Sequence, residues 1–346
     1  MSIGVNNMKV QIIGLGNVGK SLVELIMNRQ DKLDSMELDL KVVSVSDSRG
    51  TAIDEDGLNL DDILKYKKLG WKGFKKYVKE YTSLNAIENI FSDVVVELTP
   101  STSTGEPGLS NIKAALKSGK NVVTANKGPL VVAYKKLKRS AEDNCVQLLY
   151  EATVAAHVPI FCLINSCFIA DDILKVEGIL NATTNFIIGE MEKGRSFEEA
   201  LNGAIRAGWA ETEYSDDVDG IDAARKVVII ANVLFGKDAK LEDVKVQGIR
   251  NIESLIKEAL KSNKKVKLVC EIIKNVDKIH MNVAPKQIST DDPLATVNQD
   301  KMGVKFTFKT SQEVFVSAQF KGPTQTAYAV LNDIIKTWNP NKCCCN

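Results

Sequence analysis

Histidine is almost missing from this 346-residue chain, which has only His157 and His280. With so few, none of the seven cysteines falls into the His/Cys spacing of a zinc site. Net charge is missing too: 45 Lys and Arg face 44 Asp and Glu, so bulk charge gives no reason to expect nucleic acid or an acidic membrane as partner. No apolar run approaches the ~20 residues of a membrane helix. The opening MSIGVNNMKV lacks the apolar stretch of a signal peptide, so the cytoplasm is the expected compartment. Repeats are absent, and so is a Pro/Gly/Ser linker, which suggests two halves sharing an interface. The cysteines suit that compartment. Cys145, Cys162, Cys167 and Cys270 lie in or beside apolar stretches and read as buried thiols, whereas Cys343, Cys344 and Cys345 read as an oxidisable tail.

The length exceeds what one hydrophobic core usually serves, so two domains are expected. Hydrophobic residues at 44 % and charged residues at 26 % describe an ordinary globular protein. Over 1–150, short apolar runs alternate with helical patterns. Strands are expected at 9–16, 40–47, 92–99, 120–125 and 146–152, and helices at 17–30, 60–78 with an interruption at Gly70, 108–119 and 128–143. That alternation predicts a doubly covered parallel sheet, an α/β class of Rossmann type. After Glu151 the rhythm changes to α+β. The run 157–169 is long and apolar, 173–180 is strand-like, 196–208 is an amphipathic helix, and 220–236 carries the strongest helical pattern. Strands at KVKLVCEII and EVFVSAQF precede a helix in TAYAVLNDIIKTW.

GLGNVG sets Gly14, Gly16 and Gly19 in a G-x-G-x-x-G spacing, with Asn17 and Val18 between, after a strand and at the start of a helix. In that context it reads as a dinucleotide turn. Gly14 permits the bend, Gly16 lets the backbone approach a pyrophosphate, Gly19 lets helix and strand pack closely, and the helix N-terminus faces the phosphates. The same letters, extended to GLGNVGKS, also match a P-loop, but Glu97 is a poor substitute for the downstream Mg²⁺ acid and Gly16 fits the dinucleotide turn better. At the second strand's end Asp47 suits the ribose hydroxyls of NAD. Arg49, with Lys65, Lys67 and Lys68 nearby, suits the extra phosphate of NADP, which is slightly favoured.

AETEYSDDVDGIDAARK (210–226) gathers six carboxylates before a lysine. It reads either as a solvated loop and capped helix, with Asp219 as N-cap, or as a polar substrate pocket. Asp222 and Lys226 stand one helical turn apart and share a face.

The glycine turn, ELTPSTSTGEPG (97–108), GKNVVTANKGPL (119–130), EGILNATTNFI (177–187) and AGWAETEYSDDVDGIDAARK (207–226) together resemble the homoserine dehydrogenase family from about residue 8 to 335. The resemblance implies NAD(P)H-dependent interconversion of L-aspartate 4-semialdehyde and L-homoserine, a step of threonine and methionine biosynthesis. It implies an NAD(P)-binding domain over 1–150 completed by a C-terminal helix at 320–340, a substrate and dimerisation domain over 151–310, and a homodimer. It makes Lys226 the proton donor and sets Lys127 between cofactor and substrate. Glu211 would bind the substrate ammonium, Asp217 and Asp222 would orient substrate and Lys226, and Thr183 would line the pocket. Thr99 and Pro100 would pass under the nicotinamide. Glu151 and the carbonyls of Val154, Ala156 and Val158 would hold Na⁺. Asp216 is read as structural and Glu213 as solvated surface.

Departures from the family pattern bear on specificity. Ala155, His157 and Ala182 stand where the family usually has glycine, and Trp209 where it has tyrosine. Another small amino-aldehyde as substrate, or a nucleotide-binding sensor without turnover, are the rival readings. The intact set Glu211, Asp222, Lys127 and Lys226 speaks against the sensor. No ACT or aspartokinase domain is expected.

Overall fold

Aliphatic residues on both faces of a strand require cover from both sides. The first such run forms β1 (Asn6–Ile13), whose Val10 and Ile12 are fully buried. This computed structural model describes residues 6–210, 213–276 and 278–338. The chain divides into two units, Met1–Thr153 with Gly322–Asn346, and Val154–Lys321.

In the first unit β1 leads to α1 (Asn17–Asn28), the short α2 (Gln30–Asp34), β2 (Leu38–Asp47), β3 (Gly50–Ile53), α3 (Leu60–Lys68) and β4 (Tyr77–Lys79). Then follow α4 (Ser83–Asn89), β5 (Val94–Glu97), α5 (Gly108–Lys117), β6 (Asn121–Thr124), α6 (Lys127–Asp143) and β7 (Leu148–Leu149). The strand order is β4-β3-β2-β1-β5-β6-β7. β2, β1, β5, β6 and β7 run parallel, and β3 and β4 extend the edge antiparallel. The chain winds one way from β1 to β2 and the other way to β5, so the carboxyl ends of β1 and β5 flank the topological switch point where such sheets take ligands.

Several expected elements come out shorter, among them the strand expected over 92–99, which keeps only Val94–Glu97. The helix expected over 60–78 stops at Lys68, because Gly70 and Trp71 adopt φ of 67° and 69° and turn the chain into β4. The strand expected over 146–152 shrinks to β7, followed by a 3₁₀ turn over Glu151–Thr153. Cys145 and Cys167, expected to be buried, are exposed, and among the described residues only Cys270 is fully buried. Each of the exposed pair sits at a helix end: Cys145 lies just past α6 at φ 54°, and Cys167 closes the helix over Ile160–Cys167.

The second unit runs α7 (Ile160–Cys167), β8 (Ile173–Ile179), α8 (Ala182–Glu192), α9 (Phe197–Arg206), α10 (Ser215–Val218) and α11 (Ile221–Leu234). It continues through β9 (Lys245–Val246), α12 (Glu253–Lys261), β10 (Lys264–Lys274), β11 (Ile279–Ser289), β12 (Lys301–Phe308) and β13 (Glu313–Gln319). Its sheet order is β13-β12-β8-β10-β11-β9, antiparallel except where β9 joins β11. Helices α8, α11 and α12 pack on β10. α9 begins with a capping box, Ser196 and Glu199 satisfying each other's backbone N–H.

Finally α13 (Pro323–Trp338) returns to the first unit and lies along α1. Its Ala327, Val330, Leu331 and Ile334 join the core with Leu22 and Ile26. Its buried Asp333 accepts the backbone N–H of Glu151 at 2.9 Å. No helix among the described residues is long and apolar enough to cross a membrane.

Candidate active site

Each unit carries one set of chemistry-bearing residues. In the first, the turn after β1 is held by the Gly14 N–H donating to the Ser46 carbonyl at 2.9 Å. Gly14 has φ 99°, and a Cβ there would lie 2.6 Å from the Leu98 carbonyl carbon beyond β5. A Cβ on Gly19 would stand 2.2 Å from the Gly14 carbonyl oxygen. Gly16 is different, since a Cβ there would meet nothing within 4 Å. Two glycines are therefore required by packing, and the third borders open space. Gly16 caps α1 without a side-chain bond, and the first turn, from Asn17 through Val18, has no acid. Its N–H groups and dipole are thus left for an anion. A P-loop does not form, because the helix already starts at Asn17 and Ser21 is buried inside it.

Asp47, at the end of β2, is enclosed. One carboxylate oxygen accepts from Lys67 Nζ at 2.5 Å and Trp71 Nε1 at 2.7 Å; the other accepts from Tyr77 Oη at 2.8 Å and the Arg49 N–H at 2.9 Å. Burial pushes its carboxyl up, but these four donors outweigh it and hold the group well below the usual carboxylate range. Trp71 stacks on Tyr77 with centroids 4.6 Å apart, which fixes both donors. Arg49 remains exposed, its guanidinium 4.0 Å from the same carboxylate, and Lys65 and Lys68 are exposed as well.

Beyond β5, Thr99 is half-buried and Pro100 exposed. Asn126 caps α6, its Oδ1 accepting from the Gly128 N–H at 3.0 Å, so Lys127 occupies the first helical position.

In the second unit the lysine and acids of 215–226 meet the start of α8. Lys226 is 9 % exposed and donates to Asp222 Oδ2 at 2.7 Å and to the Leu180 carbonyl at 2.5 Å. Asn181 caps α8, its Oδ1 accepting from the Thr184 N–H at 2.9 Å. Its Nδ2 donates to Asp217 Oδ1 at 2.6 Å and Asp222 Oδ2 at 3.0 Å. Asn181 therefore joins two acids that belong to different helices. Thr183 is buried and donates to the Trp209 carbonyl at 2.5 Å. Behind Lys226 lies Cys270, whose thiol burial pushes up to about 12, so it stays neutral.

Asp219 is not the N-cap of α11. Gly220 takes that position at φ 80°, and Asp219 pairs with Arg250 at 2.5 Å. Asp216 pairs with Arg225 at 2.5 Å, and Glu213 is exposed. Glu211 and the Cys343–Cys345 tail lie outside the described residues. Glu151 is buried in the first unit, and Val154, Ala156 and Val158 are buried in the second. Ala155 and Ala156 both adopt φ 54°, a conformation that favours glycine. His157 is half-buried with Nδ1 unpartnered, and burial lowers its pKa, which favours the neutral ring.

Sequence reasoning did not single out Asn181, Trp71, Tyr77 or Asn126, and it considered Glu97 only as a metal-binding acid. Asn181, a cap-type residue just before a helix, carried a readable signal.

The family model "Homoserine dehydrogenase, NAD binding domain" matches residues 14–151, and the model "Homoserine dehydrogenase" matches 159–335. A homoserine dehydrogenase of Methanocaldococcus jannaschii is 38 % identical over 339 residues, covering 97 % of this chain and 100 % of that one. The chain belongs to the homoserine dehydrogenase family. It is thereby an NAD(P)-dependent oxidoreductase, with a Rossmann-type nucleotide domain and a second α+β domain. Among its relatives, an NAD(+)-dependent homoserine dehydrogenase of Pseudomonas canavaninivorans is 34 % identical, with 94 % of this chain and 95 % of that one covered. The crystal structure of a putative homoserine dehydrogenase from Archaeoglobus fulgidus superposes with a TM-score of 0.85 at 32 % identity, covering 95 % of this chain and 98 % of that one.

Proposed function

We propose that the protein interconverts L-homoserine and L-aspartate 4-semialdehyde with Lys226 as proton donor, and that it prefers NADP(H). The observation that carries the reading is the bonding of Lys226. An ammonium group has three N–H bonds. Two are taken by Asp222 and the Leu180 carbonyl. The third is left for the substrate oxygen. When bound, the nicotinamide nucleotide supplies the hydride. Lys226 then quenches the charge that develops on the carbonyl oxygen, Asp222 keeps the ammonium aimed, and Asn181 keeps Asp222 in place. The residues of the glycine turn, Gly14 to Gly19, suit a pyrophosphate, because Gly16 borders open space and α1 offers unopposed N–H groups. Thr99 and Pro100 are assigned to the nicotinamide side and Lys127 to the substrate side. Glu211 and Asp217 are assigned to the substrate ammonium and its orientation, and Thr183 to the pocket wall.

The enclosed Asp47 supports the NADP preference. A ribose diol needs a free acceptor, and all four of Asp47's bonds are made internally. A 2′-phosphate needs cations, and Arg49 is exposed beside that carboxylate. For Na⁺, the buried Glu151 carboxylate and the carbonyls of Val154, Ala156 and Val158 are oxygen donors of the type a hard cation takes. A cytoplasmic homodimer formed through the second unit completes the reading.

Following reduced nucleotide with L-homoserine and either NADP⁺ or NAD⁺, with Lys226→Ala as control, tests it. Turnover that is faster with NADP⁺, rises towards alkaline pH as Lys226 must accept a proton, and vanishes in the variant is expected. Nucleotide binding without any homoserine turnover would overturn the reading in favour of a sensor or another aldehyde.

A further inference from the structure

Glu97 closes β5 with a side chain fully shut off from solvent, and among the described residues no cation touches it. Its Oε1 accepts from the Thr99 N–H at 2.9 Å, from the Thr99 hydroxyl, and from Asn126 Nδ2 at 3.3 Å. The same Asn126 amide lies 3.2 Å from Thr99 Oγ1, and its Oδ1 caps α6 one residue before Lys127. Thr124 ties the remaining corner: its hydroxyl donates to the Glu97 carbonyl and accepts from the Asn126 N–H, both at 2.9 Å. Gly108 leaves the space this carboxyl occupies, since a Cβ there would stand 2.5 Å from Asn126 Nδ2 and 3.0 Å from Glu97 Oε1.

The second oxygen behaves differently. Glu97 Oε2 is buried without a partner, and so is Nδ2 of Asn111, a neighbour whose amide acts on the same carboxyl. An unpaired, uncompensated carboxylate oxygen in the interior is costly. A carboxylic acid removes the cost. With a proton on Oε2 and the Asn111 amide turned over, Oε2 donates to the Asn111 oxygen while Nδ2 faces Ser83 Oγ, which lies 2.8 Å from the present oxygen position. Burial raises the carboxyl above its ordinary range in spite of the hydrogen bonds from Thr99 and Asn126 and the opposing pull of the Asn111 amide in its present orientation, in keeping with that form.

We propose that Glu97 is a positioning residue that works as a neutral carboxylic acid, holding Thr99 at the end of β5 and Asn126 at the start of α6 in one geometry. It touches no reacting atom. It acts through Thr99 and through the cap that sets Lys127, and so rests on the assignment of those residues to the nicotinamide and substrate sides.

Three variants test it: Glu97→Gln, which keeps the neutral shape and the Oε1 acceptor; Glu97→Asp, which withdraws the acceptor by one methylene; and Glu97→Leu, which removes it. The expected result is a protonated-carboxyl stretch in the infrared difference spectrum between wild type and Glu97→Gln. Glu97→Gln should restore nucleotide affinity and pH profile to within about threefold of wild type, while Glu97→Asp and Glu97→Leu raise the nucleotide KM and Kd about tenfold or more. Absence of the carboxyl band, or Glu97→Gln falling with Glu97→Leu, would overturn the proposal. So would unchanged nucleotide binding in Glu97→Asp. Should Glu97→Leu not fold, the spectrum and the other two variants still decide. Fluorescence titration with NADPH and the infrared spectrum need no homoserine turnover, so failure of the proposed reaction and failure of this inference are separately visible.

Discussion

Asn181→Ala removes a helix cap and the bridge between Asp217 and Asp222 together. The lost bond to the Thr184 N–H is an N-cap, worth about 1 kcal/mol. The two bonds from Nδ2 end on carboxylates, each worth roughly 1.5 kcal/mol at the low end for charged acceptors, which suits half-buried groups. A loss of about 4 kcal/mol in urea denaturation is expected. Asp222, left with fewer donors, no longer holds Lys226 in one place, so kcat should fall about tenfold to a hundredfold while the nucleotide KM stays within twofold. Asn181→Asp sharpens the test, because it keeps the capping oxygen and replaces the donor by a third carboxylate. Unit charges 3 Å apart repel by about 5 kcal/mol at an effective dielectric near 20. Protonating one carboxyl costs about 1.4 kcal/mol for each pH unit above its pKa. One of the three acids therefore takes a proton, and the variant should recover activity as pH falls. Wild-type stability and kcat in Asn181→Ala, or a pH profile of Asn181→Asp identical to wild type, would refute the argument.

Freeing Asp47 should shift nucleotide choice: the double variant Trp71→Phe, Tyr77→Phe removes two of its donors, and the ratio of kcat/KM for NAD⁺ over NADP⁺ should rise about tenfold. An unchanged ratio would show that these donors do not govern the choice. Lys267 should reveal itself through pH. It is 2 % exposed, with its Nζ 2.6 Å from the Val297 carbonyl and 3.0 and 3.2 Å from the amide oxygens of Asn185 and Asn298, and burial lowers it to about 8 from 10.5. Below about pH 8 both folded and unfolded chains hold this proton, and the folded state bears the full penalty. Between about 8 and 10.5 the unfolded chain binds the proton that the folded one has shed. Stability therefore rises with pH across that window, by roughly 3 kcal/mol at most. Denaturation of Lys267→Met should lack this rise relative to wild type, and parallel curves would exclude it.

The glycine turn was legible because its geometry is local: strand, bend and helix start lie within fourteen residues. The amphipathic helix expected over 196–208 was legible for the same reason, and α9 fills Phe197–Arg206 of it. Asp219 shows where locality stops. Its place before a helical run suggested a cap, but Arg250, 31 residues away, took its carboxylate, and the left-handed Gly220 moved the cap one residue on. The break at Gly70 was legible from the glycine itself, but the helix does not resume beyond it, because the turn through Trp71 is secured by its bond to Asp47, 24 residues back. The residues that organise the site were illegible for that reason. Asn181 finds Asp217 and Asp222 at separations of 36 and 41, and Glu97 finds Asn126 at 29. Neither pattern exists until the chain has folded.

The return of α13 to the first unit sets a clock. Synthesis runs at roughly 5–20 residues per second, so the whole second unit must be made, taking on the order of ten to thirty seconds, before α13 exists to cover Leu22 and Ile26. Throughout that interval the nucleotide-binding half is a nascent domain with an uncovered apolar seam. The yield of this protein in a cell should therefore respond to holdase chaperones and to the pace of translation more than its final stability suggests.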